Sequence, residues 1–111
     1  MDIIADETIE RMVETVVRET QPEMVYVFGS YARGQARQES DVDVLIIQAE
    51  DFGPEHSRWA EVKRIRRALS EFRFPKDILV FSKVEFDYWK GASSHVIAQA
   101  AKEGRLMYAR P

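Results

Sequence analysis

The chain has 111 residues, one domain's length, and 45% of them are hydrophobic, enough for a real core at this size. It holds no cysteine, which excludes disulfides and thiolate metal sites and fits a reducing cytoplasm, the expected location; the acidic start "MDIIADETIE" lacks the basic and apolar regions of a signal peptide. Net charge is −3 at pH 7 where nucleic-acid-binding domains carry a basic excess, so direct nucleic-acid binding is not expected, and no apolar run approaches the roughly 20 residues of a membrane helix.

In chain order, Ile9, Met12, Val13, Val16 and Val17 recur at helical spacing, with Asp6 or Thr8 as the expected cap and Gln21-Pro22 as the end. Residues 24–28 form a short β-rich run stopped by Gly29, and residues 31–34 are expected to open a short helix just after Ser30. Residues 42–47 are apolar nearly throughout, as in a strand covered on both faces. After the loop "AEDFGPEHS", the spacing of Trp59, Val62, Ile65, Leu69 and Phe72 predicts a second long helix broken by Pro75. Its exposed positions hold Lys63, Arg64, Arg66 and Arg67, read as a solvated face, with a contact to an acidic partner or a phosphate as the alternative. A third strand over 77–81, a helical turn or two over 84–90, a helix over 94–103 with Val96, Ile97 and Ala100 inward, Gly104 as its C′ residue and a last strand over 106–108 complete the order.

No repeat or linker interrupts the chain, so residues 1–111 read as a single α/β (α+β) domain, a small mixed sheet flanked by helices. Hairpin-like and parallel pairings of the first two strands both remain open. Phe86, Tyr88 and Trp89 are expected to cap the core, an exposed interface patch being the alternative. His56 and His95 are expected at the surface, and Met24 and Met107 in the core.

The chemistry concentrates in "VFGSYARGQARQESDVDVLII". Residues i and i+2 of a strand share a face, so Asp41 and Asp43 emerge side by side with Val42 turned inward. Two carboxylates so close repel unless a cation or water lies between them, and Mg²⁺ is held by one or two carboxylates plus substrate phosphates. An exposed Asp-x-Asp also serves as a turn cap with Ser40. Asp77 opens the next apolar strand; if the two strands are neighbours, three carboxylates meet on one face, a set able to hold two metal ions for phosphoryl transfer. Gly29 permits a sharp turn and close backbone approach, Ser30 offers a hydroxyl, and Arg33 could balance phosphate charge. A GxxxxGK[ST] loop is absent, so this is not a P-loop enzyme.

The spacing Gly29-Ser30, ten residues, Asp41-x-Asp43, followed by a later strand aspartate, resembles the DNA-polymerase-β-like nucleotidyltransferase superfamily. "GSYARG…SDVDVLI", the short length and the ending "IAQAAKEGRLMYA" look most like its minimal nucleotidyltransferase (MNT) branch, over about Glu23 to Tyr108. The resemblance implies the polymerase-β-like fold. It implies that Asp41 and Asp43 ligate Mg²⁺ bound to a nucleoside triphosphate, that Asp77 completes the metal site and helps deprotonate the acceptor hydroxyl, and that Gly29, Ser30 and Arg33 hold the phosphates. MNT proteins are typically encoded beside a HEPN protein as antitoxin and toxin. By resemblance the chain is an antitoxin that transfers AMP from ATP to a tyrosine hydroxyl of a HEPN RNase, in a possible hetero-oligomer. The alternatives are transfer to a small molecule such as an aminoglycoside, disfavoured for want of a second domain to enclose it, and a non-catalytic antitoxin that acts by binding alone.

Overall fold

A computed structural model describes residues 3–37 and 40–111. Helix α1 (Asp6–Thr20) buries Ile9, Met12, Val13 and Val16 on one side, as the spacing requires. Neither expected residue caps it. Ala5 is the N-cap and supplies no side-chain bond, while Asp6 and Glu7 lie in the first turn, where a negative charge favours the helix dipole. Gln21 ends the helix in the left-handed region at φ 47°, its N–H donating to the Val17 carbonyl.

Strands β1 (Met24–Phe28), β2 (Val42–Gln48), β3 (Lys76–Ser82) and β4 (Arg105–Ala109) form one mixed sheet in the order β3-β2-β1-β4. β1 pairs antiparallel with both β2 and β4. β2 pairs parallel with β3, which requires the crossover supplied by helix α2 (Arg58–Ala68). Helices α1 and α2 cover one face of the sheet, where Met12, Val16, Ile65 and Leu69 meet Val25, Val27, Val44 and Ile46. Helices α3 (Lys83–Trp89) and α4 (Val96–Glu103) cover the other, packing Phe86, Ile97 and Ala100 on Leu45 and Ile47. This double cover is why β2 is apolar nearly end to end. No described helix is long and apolar enough to cross a membrane.

Several expectations change. α2 is shorter than predicted: Leu69 closes it, so Phe72 packs from the following loop and Pro75 breaks nothing. Trp59, expected on the core stripe, is 66% exposed. Gly104 is extended (φ −78°, ψ 164°), not left-handed. It is needed for closeness, because a Cβ there would lie 2.4 Å from the Ala100 carbonyl oxygen. Of the aromatic trio only Phe86 caps the core; Tyr88 and Trp89 are exposed. Met24 and Met107 are half-buried at the edges of the core clusters. Neither histidine is a plain surface residue. His95 is the N-cap of α4, its Nδ1 accepting the Ile97 N–H, and it stacks on Trp89. His56 stacks on Phe52, with its Nε2 buried and without a hydrogen-bond partner among the described residues.

One side chain ties the crossover to the edge strand. Arg58 Nη1 donates to the Val80 carbonyl (2.7 Å) and to Glu85 Oε1 (3.0 Å), and Nη2 donates to Glu85 Oε2 (2.6 Å). The guanidinium also lies over the Phe52 and Phe81 rings. Glu85 in turn accepts the Ser82 N–H, while the Ser82 hydroxyl accepts the Glu85 N–H, a complete capping box for α3. The Arg58 hydrogen bonds hold the Glu85 carboxyl below its ordinary range. A lowered folded-state pKa stabilises above the unfolded value, and that stability is lost as pH falls through the folded one. Arg58→Ala is therefore expected to destabilise the fold by about 1–2 kcal/mol at neutral pH, discounted for partial exposure. In urea titrations the gap to wild type should narrow once the pH falls below the carboxylate range.

Candidate active site at the open end of the sheet

The parallel register of β2 and β3 places Asp43 directly beside Asp77, and the antiparallel register of β1 places Phe28 on Asp43's other side. Paired strands stand about 4.8 Å apart, so the two carboxylates rise as neighbours from one face of the sheet. That is the face of Leu45 and Ile47, the side covered by α3 and α4. Asp41, just ahead of β2, lies two residues from Asp43 and is exposed, as is Asp77, whereas Asp43 is half-buried. The three carboxylates named by the sequence thus share one end of the sheet.

Their mutual influence is visible in Asp43. Its carboxyl is pushed above its ordinary range by burial first, then by the charges of Asp77 and Asp41, with Arg33 pulling the other way. Arg33 therefore faces the same site. Its Nε is held by the Gln35 side chain at 3.2 Å.

Residues 29–34 form turns, not the short helix expected after Ser30. One helix-like bond closes the bend, from Arg33 N–H to the Gly29 carbonyl (3.2 Å), and Gln35 N–H donates to the Ser30 carbonyl (2.9 Å). Without a helix, the bend has no helix N-terminus whose free N–H groups would favour an anion. What remains is a tight bend carrying a half-buried serine whose hydroxyl makes no hydrogen bond to the described residues. Residues 38 and 39 of the spacer lie outside the described residues.

Gly29 has a role that its motif did not disclose. Its φ is +73°, and a Cβ there would lie 2.2 Å from Asp43 Oδ2. Glycine is thus demanded twice, by backbone conformation and by the carboxylate seated against it. Tyr31 was also missed. Its buried ring packs in the α1–α2 core cluster, and its hydroxyl accepts the Ile4 N–H at 3.0 Å, tying the bend to the segment before α1. Nothing in local composition marks Tyr31 out, because the partner lies 27 residues away.

Among the described residues no three His, Cys, Asp or Glu side chains are drawn tightly enough together to hold a metal by themselves. The donor set nevertheless suits a hard divalent cation: oxygen ligands only, on adjacent strands, with burial and neighbouring charge both disfavouring the ionised Asp43 until a cation compensates. Such an ion takes its remaining ligands from water and substrate phosphates. Concavity alone does not mark this site. The groove between α1 and β4, about 520 Å³ and lined by Val13, Val17, Leu106 and Tyr108 among others, includes none of the three carboxylates.

A family model described as polymerase beta, nucleotidyltransferase, matches residues 10–111. The chain belongs to that family. Among solved structures, this nucleotidyltransferase resembles a Sulfolobus solfataricus protein described as a candidate nucleotidyltransferase, with 25% identity and a TM-score of 0.63, over 94% of this chain and 79% of that one. It also shares its fold with a chain of a toxin–antitoxin complex containing AMP-PNP (20% identity, TM-score 0.60, 91% of this chain and 73% of that one). A third likeness is to a complex of the tri-AMPylated Shewanella oneidensis HEPN toxin with its MNT antitoxin (14% identity, TM-score 0.60, 94% and 71%). No curated protein matches the chain. The polymerase-β-like fold read from the sequence stands, and chains of toxin–antitoxin complexes share it.

Two substitutions probe this nucleotidyltransferase site. In Gly29→Ala the new methyl must push the Asp43 carboxylate aside and sits on left-handed backbone, so the fold should lose about 2 kcal/mol. Transfer activity should fall on the order of 100-fold, because Asp43 can no longer occupy its position; circular dichroism and steady-state rates separate the two effects. Asp43→Asn should raise the thermal midpoint of the metal-free protein at neutral pH. The sign follows from a folded-state pKa above the unfolded one: the penalty is absent below the unfolded pKa and complete above the folded value. Thermal scans in chelator should show the two proteins converging at acid pH.

Proposed function

We propose that the chain is a Mg²⁺-dependent nucleotidyltransferase that moves AMP from ATP onto a hydroxyl of a partner protein, a tyrosine of a HEPN toxin, and so acts as its antitoxin. The observation that carries the transfer chemistry is the in-register seating of Asp43 against Asp77, facing the Gly29–Ser30 bend, in a member of the polymerase-β family. The choice of acceptor is supported by likeness of fold to chains of toxin–antitoxin complexes, one with an AMPylated HEPN toxin.

In this reading Asp41 and Asp43 hold the metal–triphosphate. When bound, Mg²⁺ supplies charge neutralisation and polarisation of the phosphate oxygens. The Ser30 hydroxyl and the backbone of the bend hold the β- and γ-phosphates, and Arg33 offsets their charge. Asp77 completes the acidic set and accepts the proton of the attacking hydroxyl. A new bond forms between that oxygen and the α-phosphorus, the bond to the bridging oxygen breaks, and pyrophosphate leaves. Positioning and charge placement are the protein's share.

Incubation of the chain with Mg²⁺, ATP and the protein encoded beside it should add AMP-sized mass increments to that protein, read by intact mass spectrometry. Asp41→Asn/Asp43→Asn should abolish the increment. Modification by the double variant would overturn the metal assignment. Neutralisation of the partner by wild type without any increment would establish an antitoxin acting by binding alone.

A further inference from the structure

The outer face of α2 is unlike the rest of the surface. Residues 58–76 hold seven basic and two acidic residues, net +5, whereas the whole chain carries −3, so the remainder carries −8. Arg58 and Arg64 are committed to Glu85 and Glu61, and the Lys76 ammonium to the Phe72 and Phe74 carbonyls. Lys63, Arg66, Arg67 and Arg73 are exposed and have no carboxylate partner among the described residues. Lys63, Arg66 and Arg67 stand at i, i+3 and i+4, one stripe opposite the buried Glu61, Ile65 and Leu69. The helix dipole accounts for cations in the last turn, at Arg66 and Arg67, but not for Lys63.

Trp59 stands on the same stripe, one turn before Lys63, whose ammonium lies 5.7 Å from the centre of its ring. An indole left two-thirds exposed on one helix stripe with Lys63, Arg66 and Arg67 has the composition of a protein-binding hot spot. α2 lies on the sheet face opposite the carboxylates, so the stripe can serve the site only around the β3 edge, where the helix ends. α2 runs back along β3, from Arg58 bonded to the Val80 carbonyl near the strand's end to Arg66 beside Lys76 at its start. Asp77 follows Lys76, and β3 is an edge strand.

We propose that the face of α2 formed by Trp59, Lys63, Arg66 and Arg67 docks an acidic surface of the protein acceptor, so that its hydroxyl reaches the carboxylates around the β3 edge. This deepens the reading of the chain as a protein-modifying transferase and rests on it. A protein fits better than a nucleic acid. The stripe is a convex helix face with one aromatic, not a groove with successive stacking platforms, and a long polyanion leaving it meets a remainder of net −8. A compact acidic patch gains the attraction without that repulsion.

The test uses the intact chain and the HEPN protein encoded beside it, comparing wild type with Lys63→Glu/Arg66→Glu/Arg67→Glu and with Trp59→Ala. The charge-reversal variant should associate at least about tenfold more slowly at low salt, with the difference shrinking near 0.5 M salt. Its KM for the partner should rise while binding of an ATP analogue stays at the wild-type level. Trp59→Ala should dissociate faster without a change in salt dependence. Wild-type association and modification matched by both variants would overturn the docking surface and leave the transferase reading standing. Failure of wild type to bind or modify the neighbour would sink both. Single-stranded RNA bound by wild type and lost on charge reversal, with partner binding unchanged, would replace the protein by a nucleic acid and overturn the proposal.

Discussion

The parallel alignment of β2 with β3 is the constraint from which the site follows. It puts two carboxylates in register on neighbouring strands, Asp43 beside Asp77, with Asp41 just ahead of β2. Without a cation such an arrangement is unfavourable, and Asp43 shows it in a carboxyl driven up by burial and by its acidic neighbours. The fold tolerates the strain because the rest of β2 is buried on both faces, from Val44 through Gln48. The stabilising and functional parts of the strand thus adjoin, which is the usual disposition of an active site set on a rigid scaffold.

The bend opposite the carboxylates is held in the same economical way. Gly29 gives the backbone its left-handed turn and leaves space for Asp43 Oδ2, so one residue sets both the loop path and the position of the acid. Tyr31 anchors the other side through the Ile4 N–H. The bend is therefore braced from the sheet and from the segment leading into α1, although only turns span it.

Much of this was legible because period and punctuation are local. The period of a strand put Asp41 and Asp43 on one face, and the apolar run after Asp77 marked the third strand. Strand direction was not legible: the connection between β1 and β2 is long enough for either pairing, and only the contacts made by both decide it. Trp59 joined the predicted stripe through its i, i+3 spacing to Val62, yet it stands about 120° around the helix from the buried Ile65 and so faces solvent. Gly104 carried a helix-end signal whose cause was different, close approach to the Ala100 carbonyl. The bend at 31–34 was read as helix because four residues cannot distinguish a turn from a first helical turn. Arg58, His95 and Tyr31 act through partners distant in sequence or fixed by folding, and no local pattern announces them.

The central claim is that these strand carboxylates hold a divalent ion together with a nucleotide. Electron paramagnetic resonance of Mn²⁺, titrated into the protein with a non-hydrolysable ATP analogue, tests it most directly. The account predicts one or two bound ions that require the nucleotide and disappear when Asp41 and Asp43 are both replaced by Asn. Equal Mn²⁺ binding by that double variant would contradict it.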